Sequence, residues 1–190
     1  YTASTTISHG RISMQKFYIG KNNAGQPFKA YKLKGKTWLV VFEETHSVRK
    51  ANIDNIRAGK VRDLYAPSRY SYGYDGDFVR VPYWKRAKDL WSNMLKRCYF
   101  KADNRGYYGR CFVSVRWHCF ANFLSDLPSL QNFDKWLENK EPYELDKDSI
   151  VQGNDTYSRE ACMFLDRHTN RANGKRGKKL VDGHWITPND

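Results

Sequence analysis

Residues 145–173 read LDKDSIVQGNDTYSREACMFLDRHTNRAN, and this stretch decides the fold of the second half of the chain. Residues 145–149 are short and extended in character, with two carboxylates flanking one lysine. Gly153 and Asn154 suit a turn, because glycine adopts positive φ freely and asparagine tolerates it. The stretch therefore opens with a predicted strand followed by a loop.

The second half of this stretch predicts a strand that leads into a helix. Residues 161–165 form a short apolar run that is typical of a strand. Asp166 stands where a helix N-cap belongs and Gly174 where a helix ends, so residues 167–173 are predicted to be helical. Strand, loop, strand and helix in succession form a ββα unit.

The acids of the first strand and the polar helix suit a hard divalent cation. Mg²⁺ and Mn²⁺ take oxygen ligands, which Asp146, Asp148 and the side chain of Asn170 offer. In a regular strand Asp146 and Asp148 share one face, and Lys147 points to the other. A cation there would stabilise the charge that develops on a phosphodiester. The alternative is a solvated acid–lysine strand beside a polar helix, and spacing alone favours that alternative.

Several motifs follow one another in this stretch and upstream of it. LDKD is followed by GN, by YS, by a strand that contains a cysteine and by a helix with an asparagine at its centre. The upstream segments are IRAGKVRDLYAP (56–67), APSRYSYGYDG (66–76), WSNMLKRCY (91–99) and YYGRCFVSVRWHCFANFLSDL (107–127). Together they resemble bacteriophage endonucleases of the HNH, or ββα-metal, type, including homing endonucleases of podophages.

The resemblance implies a role for each polar residue of the unit. Asp146 matches the metal ligand of the first strand, Asn154 the central asparagine that steadies the loop, and Asn170 the closing metal ligand. Lys147 stands where the family has a histidine that acts as general base, and a protonated lysine cannot accept a proton. His168 lies about 200° around the helix from Asn170, which points it away from the metal. Lys147, Asn154 and His168 are the catalytic candidates.

The charge of the chain predicts an acidic polymer as its partner. The sequence holds 33 Lys and Arg residues against 20 Asp and Glu residues, a formal net charge of +13. Because basic residues that neutralise phosphates release counterions, double-stranded DNA is the expected partner. The DNA-binding candidates are Arg57, Lys60, Arg62, Lys96, Arg97, Arg167, Arg171, Lys175 and Arg176. The alternative for these residues is a solvated basic surface or tail.

The cysteines and the apolar runs indicate the compartment. Cys98, Cys111, Cys119 and Cys162 show no C-x-x-C pairing, and we expect reduced thiols that pack as small hydrophobes. A zinc site built from them with His118 is the less favoured alternative. No run of eighteen apolar residues and no signal-peptide pattern is visible. We expect no membrane contact and a location in the cytoplasm of an infected bacterial cell.

The predicted fold class is α+β, with a small N-terminal β-rich module and a helical body that carries the HNH-like unit. The module has strands near residues 11–19, 28–33 and 37–42 and a helix at 51–58, preceded by a loose arm at 1–10. The predicted divisions are a DNA-contacting module (11–64), a linker (65–80) whose tyrosines seat it on its neighbour, a nuclease domain (81–174) and a basic tail (175–190).

The helical body is predicted from its apolar periodicity. A stripe at helical spacing begins at Trp84 and ends at Cys98, and residues 120–127 form a second amphipathic helix. Between them Cys111, Val113 and Val115 alternate as a strand. A shorter helical piece begins at Trp136 and ends before Pro142.

Three functions follow from these patterns. The first is a metal-dependent phage DNA endonuclease that uses Mg²⁺ or Mn²⁺ and binds duplex DNA. The second is a DNA-binding protein on the same scaffold whose chemistry has lapsed, which Lys147 favours. The third is a basic phage protein that binds and inhibits a host factor.

The net charge makes one prediction that needs no structure. The protein should bind duplex DNA with a steep negative slope of log K against log salt concentration, because each neutralised phosphate releases counterions. A fluorescence-anisotropy titration over a salt series measures this slope. Affinity that stays flat between low and moderate salt would contradict the electrostatic argument.

Overall fold

The computed structural model describes residues 2–8, 11–102, 108–173, 179–181 and 184–186. The chain divides into two compact units, Tyr1–Ala66 and Pro67–Asp190. Strands dominate the first unit and helices the second, so the fold is α+β as predicted. Among the described residues, no helix combines the length and apolar character needed to span a membrane.

The first unit is an antiparallel meander that ends in a short helix. Its five strands lie in chain order within one sheet, each paired with the next. They are β1 (Thr2–Ser8), β2 (Arg11–Lys21), β3 (Pro27–Lys32), β4 (Thr37–Phe42) and β5 (Val48–Asn52), followed by α1 (Ile53–Arg57). Gly25 (φ 80°) and Gly35 (φ 57°) occupy the turns on either side of β3, where only glycine adopts positive φ without strain.

Strand alternation builds the core of this unit. Phe28, Val40 and Phe42 point to the same side of the sheet and are almost fully buried. Ile56 of α1 covers them, and the Asn52 side chain begins that helix by accepting a hydrogen bond from the Asp54 amide at 3.0 Å. The sheet therefore has one buried face, which the helix closes.

The sequence predicted β2, β3, β4 and the helix, and it missed β1 and β5; Ala51 and Asn52, expected in the helix, end β5. β4 has the predicted bounds, and the helix predicted at 51–58 is present. The expectation of a loose arm at 1–10 was wrong, because Thr2–Ser8 forms a full strand paired with β2 from Thr2↔Phe17 to Ser8↔Arg11. Its β-branched threonines and isoleucine favour extended structure even without an apolar alternation.

The second unit packs helices around the strands that carry the candidate site. Its elements in chain order are α2 (Trp84–Tyr99), β6 (Phe112–Val113), α3 (Val115–His118), α4 (Phe120–Asp126), α5 (Phe133–Glu138), β7 (Tyr143–Asp146), β8 (Thr156–Tyr157), β9 (Met163–Asp166), α6 (Arg167–Asn173), β10 (Lys179–Val181) and β11 (His184–Ile186). A 3₁₀ turn follows α4 at Leu127–Ser129.

The core of this unit confirms the apolar stripe of α2. Trp91 and Leu95 are fully buried, and Phe120 packs on Trp91 with ring centroids 5.5 Å apart. The Trp91 indole donates to the Trp117 carbonyl at 2.7 Å, so its polar atom is satisfied inside the core. The tryptophans are therefore structural residues.

Two elements differ from the expectation. The strand expected across Cys111, Val113 and Val115 is only Phe112–Val113, because its partner β8 is equally short. Val115 instead begins α3 and is 79% exposed. The helix near Trp136 begins earlier than expected, at Phe133.

The tyrosines of the predicted linker pack on the second unit, as expected. Tyr72 stacks on Tyr99 with ring centroids 4.1 Å apart, and Tyr70 lies 5.7 Å from Phe100. Gly73 lies against the buried α2 residues so closely that an added Cβ would come within 2.4 Å of a side-chain carbon. Residues 67–76 are therefore part of the folded unit.

A buried carboxylate, Asp126, joins α3 to α4. It is 3% exposed and accepts hydrogen bonds from the Trp117 indole at 2.9 Å and from two guanidinium nitrogens of Arg116 at 2.8 and 2.9 Å. Burial alone would raise the pKa of Asp126, but these donors outweigh burial and lower it below its usual value. The carboxylate therefore stabilises the fold in its charged form.

We expect Asp126→Ala to lower the free energy of unfolding by roughly 1–3 kcal/mol, because it leaves the buried Trp117 N–H without its acceptor. Chemical denaturation monitored by tryptophan fluorescence measures the change. The exposed Asp134 provides the control, since Asp134→Ala should stay within about 0.5 kcal/mol of wild type. Equal stability of the two variants would contradict the structural role of Asp126.

The same contact predicts a pH dependence. Because the folded-state pKa of Asp126 lies below the unfolded value, its contribution is fully present above the unfolded pKa, near 4, and is lost as the pH falls through the folded value. The difference in stability between wild type and Asp126→Ala should shrink in acid. A difference that grows as the pH falls from 5 to 2 would contradict this assignment.

Candidate functional site

The candidate site is built on the strand, loop, strand and helix that the sequence predicted. β7 and β9 pair antiparallel from Tyr143↔Asp166 to Asp146↔Met163, and α6 begins directly after β9. Leu145 and its partner Phe164 are buried in the core, so Glu144 and Asp146 point to the opposite face. The hydrophobic core thus fixes which side chains of β7 face the candidate site.

The strand that carries Asp146 ends sooner than the sequence suggested. Residues 145–149 were expected to be extended, but β7 is Tyr143–Asp146. The Asp146 carboxylate turns the chain, because its Oδ2 accepts hydrogen bonds from the amides of Asp148 at 3.2 Å and Ser149 at 2.7 Å. Asp148 therefore lies in the turn and not in a regular strand, although its carboxyl group remains next to that of Asp146.

Asp146 is the buried acid of the site. It is 5% exposed, and burial raises the pKa of its carboxyl; hydrogen bonds from Ser149 oppose that rise, and the neighbouring Asp148 carboxyl adds to it. Asp148 belongs to the turn: its carboxyl group neighbours that of Asp146 and lies 3.4 Å from Lys147 Nζ, and its side chain is 47% exposed. Both acids of LDKD therefore lie together at the end of β7, and Asp146 is the more buried of the two.

Asn154 closes the loop between β7 and β8. Its side-chain nitrogen donates to the carbonyls of Lys147 at 2.6 Å and Thr156 at 2.7 Å, so one amide holds both ends of the loop. Gly153 has φ 78°, and the Asn154 amide donates to the Val151 carbonyl at 3.1 Å, which is the predicted turn. The Asn154 side-chain amide is thus the brace of the loop.

The Lys147 side chain contacts the same loop. Its Nζ donates to the Asn154 carbonyl at 2.7 Å and lies 3.4 Å from Asp148 Oδ2. Its side chain is only 15% exposed. An ammonium group in this position donates hydrogen bonds and carries positive charge, and it has no lone pair with which to accept a proton.

The polar face of α6 meets β7 at Glu144. The Asn170 side-chain nitrogen donates to Glu144 Oε2 at 3.1 Å, and Arg167 Nε donates to Glu144 Oε1 at 2.9 Å. His168, on the same helix, is exposed. The structure therefore joins Asn170 to Glu144, which lies two residues before Asp146 and shares its strand face by alternation.

Glu144 is the residue that reasoning from the sequence missed. It lies two residues before Asp146, which is the spacing that places two side chains on one face of a strand. A strand boundary at Tyr143 rather than Leu145 would have included it. Strand alternation would have predicted that Glu144 shares a face with Asp146, but the strand expected at residues 145–149 begins after Glu144.

These residues offer oxygen donors that suit a hard cation. Within the described residues, no three His, Cys, Asp or Glu side chains come together as a metal cluster. Glu144, Asp146 and Asn170 supply two carboxylates and one amide instead. Mg²⁺ commonly uses one or two carboxylates, with water and substrate phosphate completing its shell, so the donor set fits Mg²⁺ or Mn²⁺.

The basic candidates occupy different settings. Arg57, Lys60 and Arg62 are exposed in the first unit, and Arg167 and Arg171 are exposed on α6. Lys96 lies over the Phe100 ring at 5.7 Å. Lys175 and Arg176, with the end of the predicted tail, lie outside the described residues.

Arg97 has an inward role rather than a surface one. Its Nη1 donates to the Tyr157 hydroxyl at 2.7 Å, and Tyr157 is 3% exposed. Burial raises the pKa of Tyr157, so this phenol stays protonated and accepts from the guanidinium. Arg97 therefore ties α2 to β8 beside the Asn154 loop.

Comparison with protein-family models, with curated proteins and with solved structures found no match. The site is therefore interpreted from its own geometry.

The brace at Asn154 predicts a local effect of its removal. Asn154→Ala should raise amide hydrogen exchange across residues 147–156 by about tenfold or more, because two carbonyls lose their shared donor. Hydrogen-exchange mass spectrometry measures the change. Asn93, exposed on α2, is the matched control. Equal exchange in the two variants would show that the loop does not depend on the amide.

Proposed function

We propose that the chain is a metal-dependent DNA endonuclease of bacteriophage type that acts in the cytoplasm of an infected bacterial cell. The observation that carries the proposal is the strand, loop, strand and helix that present Glu144, Asp146 and Asn170 as oxygen donors. The net charge of +13 supports a phosphodiester polymer, duplex DNA, as the substrate.

Glu144, Asp146 and Asn170 would hold the divalent cation. When bound, Mg²⁺ or Mn²⁺ stabilises charge on the phosphodiester and lowers the pKa of bound water. Glu144 already accepts from the Asn170 amide nitrogen at 3.1 Å, which sets the orientation of that side chain. Asp146 is buried at the strand end and accepts two backbone amides, so its carboxylate has little freedom to move.

Lys147 would stabilise negative charge on the phosphate and would not act as a general base. Two of its ammonium contacts are the Asn154 carbonyl and Asp148, and an ammonium group has three donors. The third donor can contact a phosphate oxygen and stabilise the negative charge that develops there. A cation held by the oxygen donors would then supply the activation of water.

Binding of the DNA backbone would involve exposed basic residues in each unit. Arg167 and Arg171 lie on either side of Asn170 in the sequence of α6. Arg57, Lys60 and Arg62 would add sequence-independent affinity from the first unit. Such contacts position the duplex without taking part in the chemistry.

The second candidate function is DNA binding without cleavage. One observation favours it: Lys147 donates to the Asn154 carbonyl at 2.7 Å in the position where the resembling family has a proton acceptor. A protein of this kind would bind DNA with the same salt dependence and would leave it intact.

A nicking assay on supercoiled plasmid, with Mg²⁺ or Mn²⁺ against EDTA, separates the two functions. The endonuclease should produce open circles only with the metal. Asp146→Ala should reduce nicking by about a hundredfold or more while DNA affinity remains. Asp134→Ala is the control for loss of one acid, and melting curves check that each variant is folded. No nicking with any cation would leave the binding protein as the function.

Substitutions at Lys147 test its role separately. Lys147→Ala should slow nicking by roughly tenfold with unchanged affinity for Mn²⁺, because a charge-assisted contact to phosphate is lost. Lys147→His should restore or exceed the wild-type rate at pH 8, where a neutral imidazole can accept a proton. Loss of Mn²⁺ binding in Lys147→Ala would place the lysine in a different role.

A further inference from the structure

Two of the four cysteines meet in the core of the second unit. Cys98 lies near the end of α2 and Cys111 immediately precedes β6. Their Sγ atoms are 2.6 Å apart, closer than unbonded heavy atoms normally approach, and each residue is 1% exposed. Cys119 and Cys162 are buried elsewhere, and the described residues give neither a cysteine partner.

Contacts next to the two cysteines hold the sulfurs together. The Tyr99 hydroxyl accepts from the Val113 amide at 3.0 Å and donates to the Val113 carbonyl at 3.3 Å. Tyr99 follows Cys98 directly, and Val113 lies two residues after Cys111. The end of α2 and the start of β6 are therefore fixed against each other on the side of both thiols.

The surroundings distinguish the two thiols. The hydrogen bond from Cys98 lowers the pKa of Cys111, and the positive charges of Lys147 and Arg97 lower it further against the effect of burial. The same hydrogen bond and burial raise the pKa of Cys98. Cys111 is therefore the more readily deprotonated thiol of the pair.

We propose that Cys98 and Cys111 are a reversible disulfide site that a hydroperoxide oxidises. The Cys111 thiolate attacks one peroxide oxygen: an S–O bond forms, the O–O bond breaks, and the leaving hydroxide takes a proton to become water. Cys98 then attacks the Cys111 sulfur: the S–S bond forms, the S–O bond breaks, and the proton of Cys98 leaves with the second water. The peroxide gains two electrons and each sulfur gives one.

Hydrogen peroxide is the smallest hydroperoxide and therefore the probe for a buried pair, and a dithiol reductant reverses the reaction. The bond would join the end of α2 to β6, which pairs with β8 next to Asn154. It would close a short chain segment and restrict the unfolded state, so the melting temperature should rise by roughly 5–10 °C. This inference does not depend on nuclease activity.

Trypsin makes the pair easy to identify. It cleaves after Arg97 and Arg110, so each cysteine begins its own peptide, CYFK (98–101) and CFVSVR (111–116). Reduced full-length protein is treated with hydrogen peroxide, alkylated under denaturing conditions, digested without reductant and analysed by mass spectrometry. We expect alkylation to fall from four thiols to two and a CYFK–CFVSVR peptide to appear and to disappear with dithiothreitol.

Matched variants complete the test. Cys119→Ser and Cys162→Ser should keep the linked peptide and the rise in melting temperature. Cys98→Ser and Cys111→Ser should lose both. Four alkylated thiols after peroxide, a sulfinic acid at Cys111 or a link to another cysteine would each overturn the proposal. The wild-type digest alone gives this answer if a variant fails to fold.

Discussion

The side-chain amide of Asn154 is the contact on which the geometry of the candidate site depends. It donates to the carbonyls of Lys147 and Thr156, and Lys147 returns a hydrogen bond to the Asn154 carbonyl. The two ends of the loop are therefore held by one residue and its reciprocal contact. Because Lys147 directly follows Asp146, the brace also sets the direction in which the chain leaves the strand that carries the buried acid.

The hydrophobic core supports this brace from below. Phe164 of β9 stacks on Trp136 of α5 with centroids 5.1 Å apart and an interplanar angle of 19°. The Asn132 side chain donates to the Phe164 carbonyl at 2.8 Å, and the Phe164 amide donates to the Gln131 carbonyl at 3.0 Å. These contacts fix the apolar face of the sheet formed by β7 and β9. Glu144 and Asp146 lie on the opposite, polar face.

The elements that the sequence predicted well are those with a local signal. α2 has a long apolar stripe, β4 is a compact apolar run, and α6 has the predicted bounds of 167–173 between Asp166 and Gly174. The missed features depend on partners distant in the chain. β6 is only as long as its partner β8. The Cys98–Cys111 contact joins the end of α2 to the start of β6, and no periodicity in the sequence predicts that contact.

The residues of the candidate site divide in the same way, into those with a local sequence signal and those that depend on distant partners. Asn154 and Asn170 were placed by turn chemistry and by helix position, both of which are local. The strand was predicted to continue through Asp148, but the Asp146 carboxylate accepts the next amides and turns the chain, and a strand pattern does not reveal such a contact. Glu144 was missed because its role depends on contacts with a helix that follows more than twenty residues later.

The most direct test of the proposed metal site is to locate where a divalent cation binds. Paramagnetic Mn²⁺ can be titrated into isotope-labelled protein while backbone amide signals are followed by NMR. The account predicts selective broadening of amides near Glu144, Asp146 and Asn170 at low Mn²⁺ concentration, with no broadening around β4 in the first unit. Broadening centred elsewhere, or uniform weak broadening across the chain, would contradict the assignment of these three residues as metal ligands.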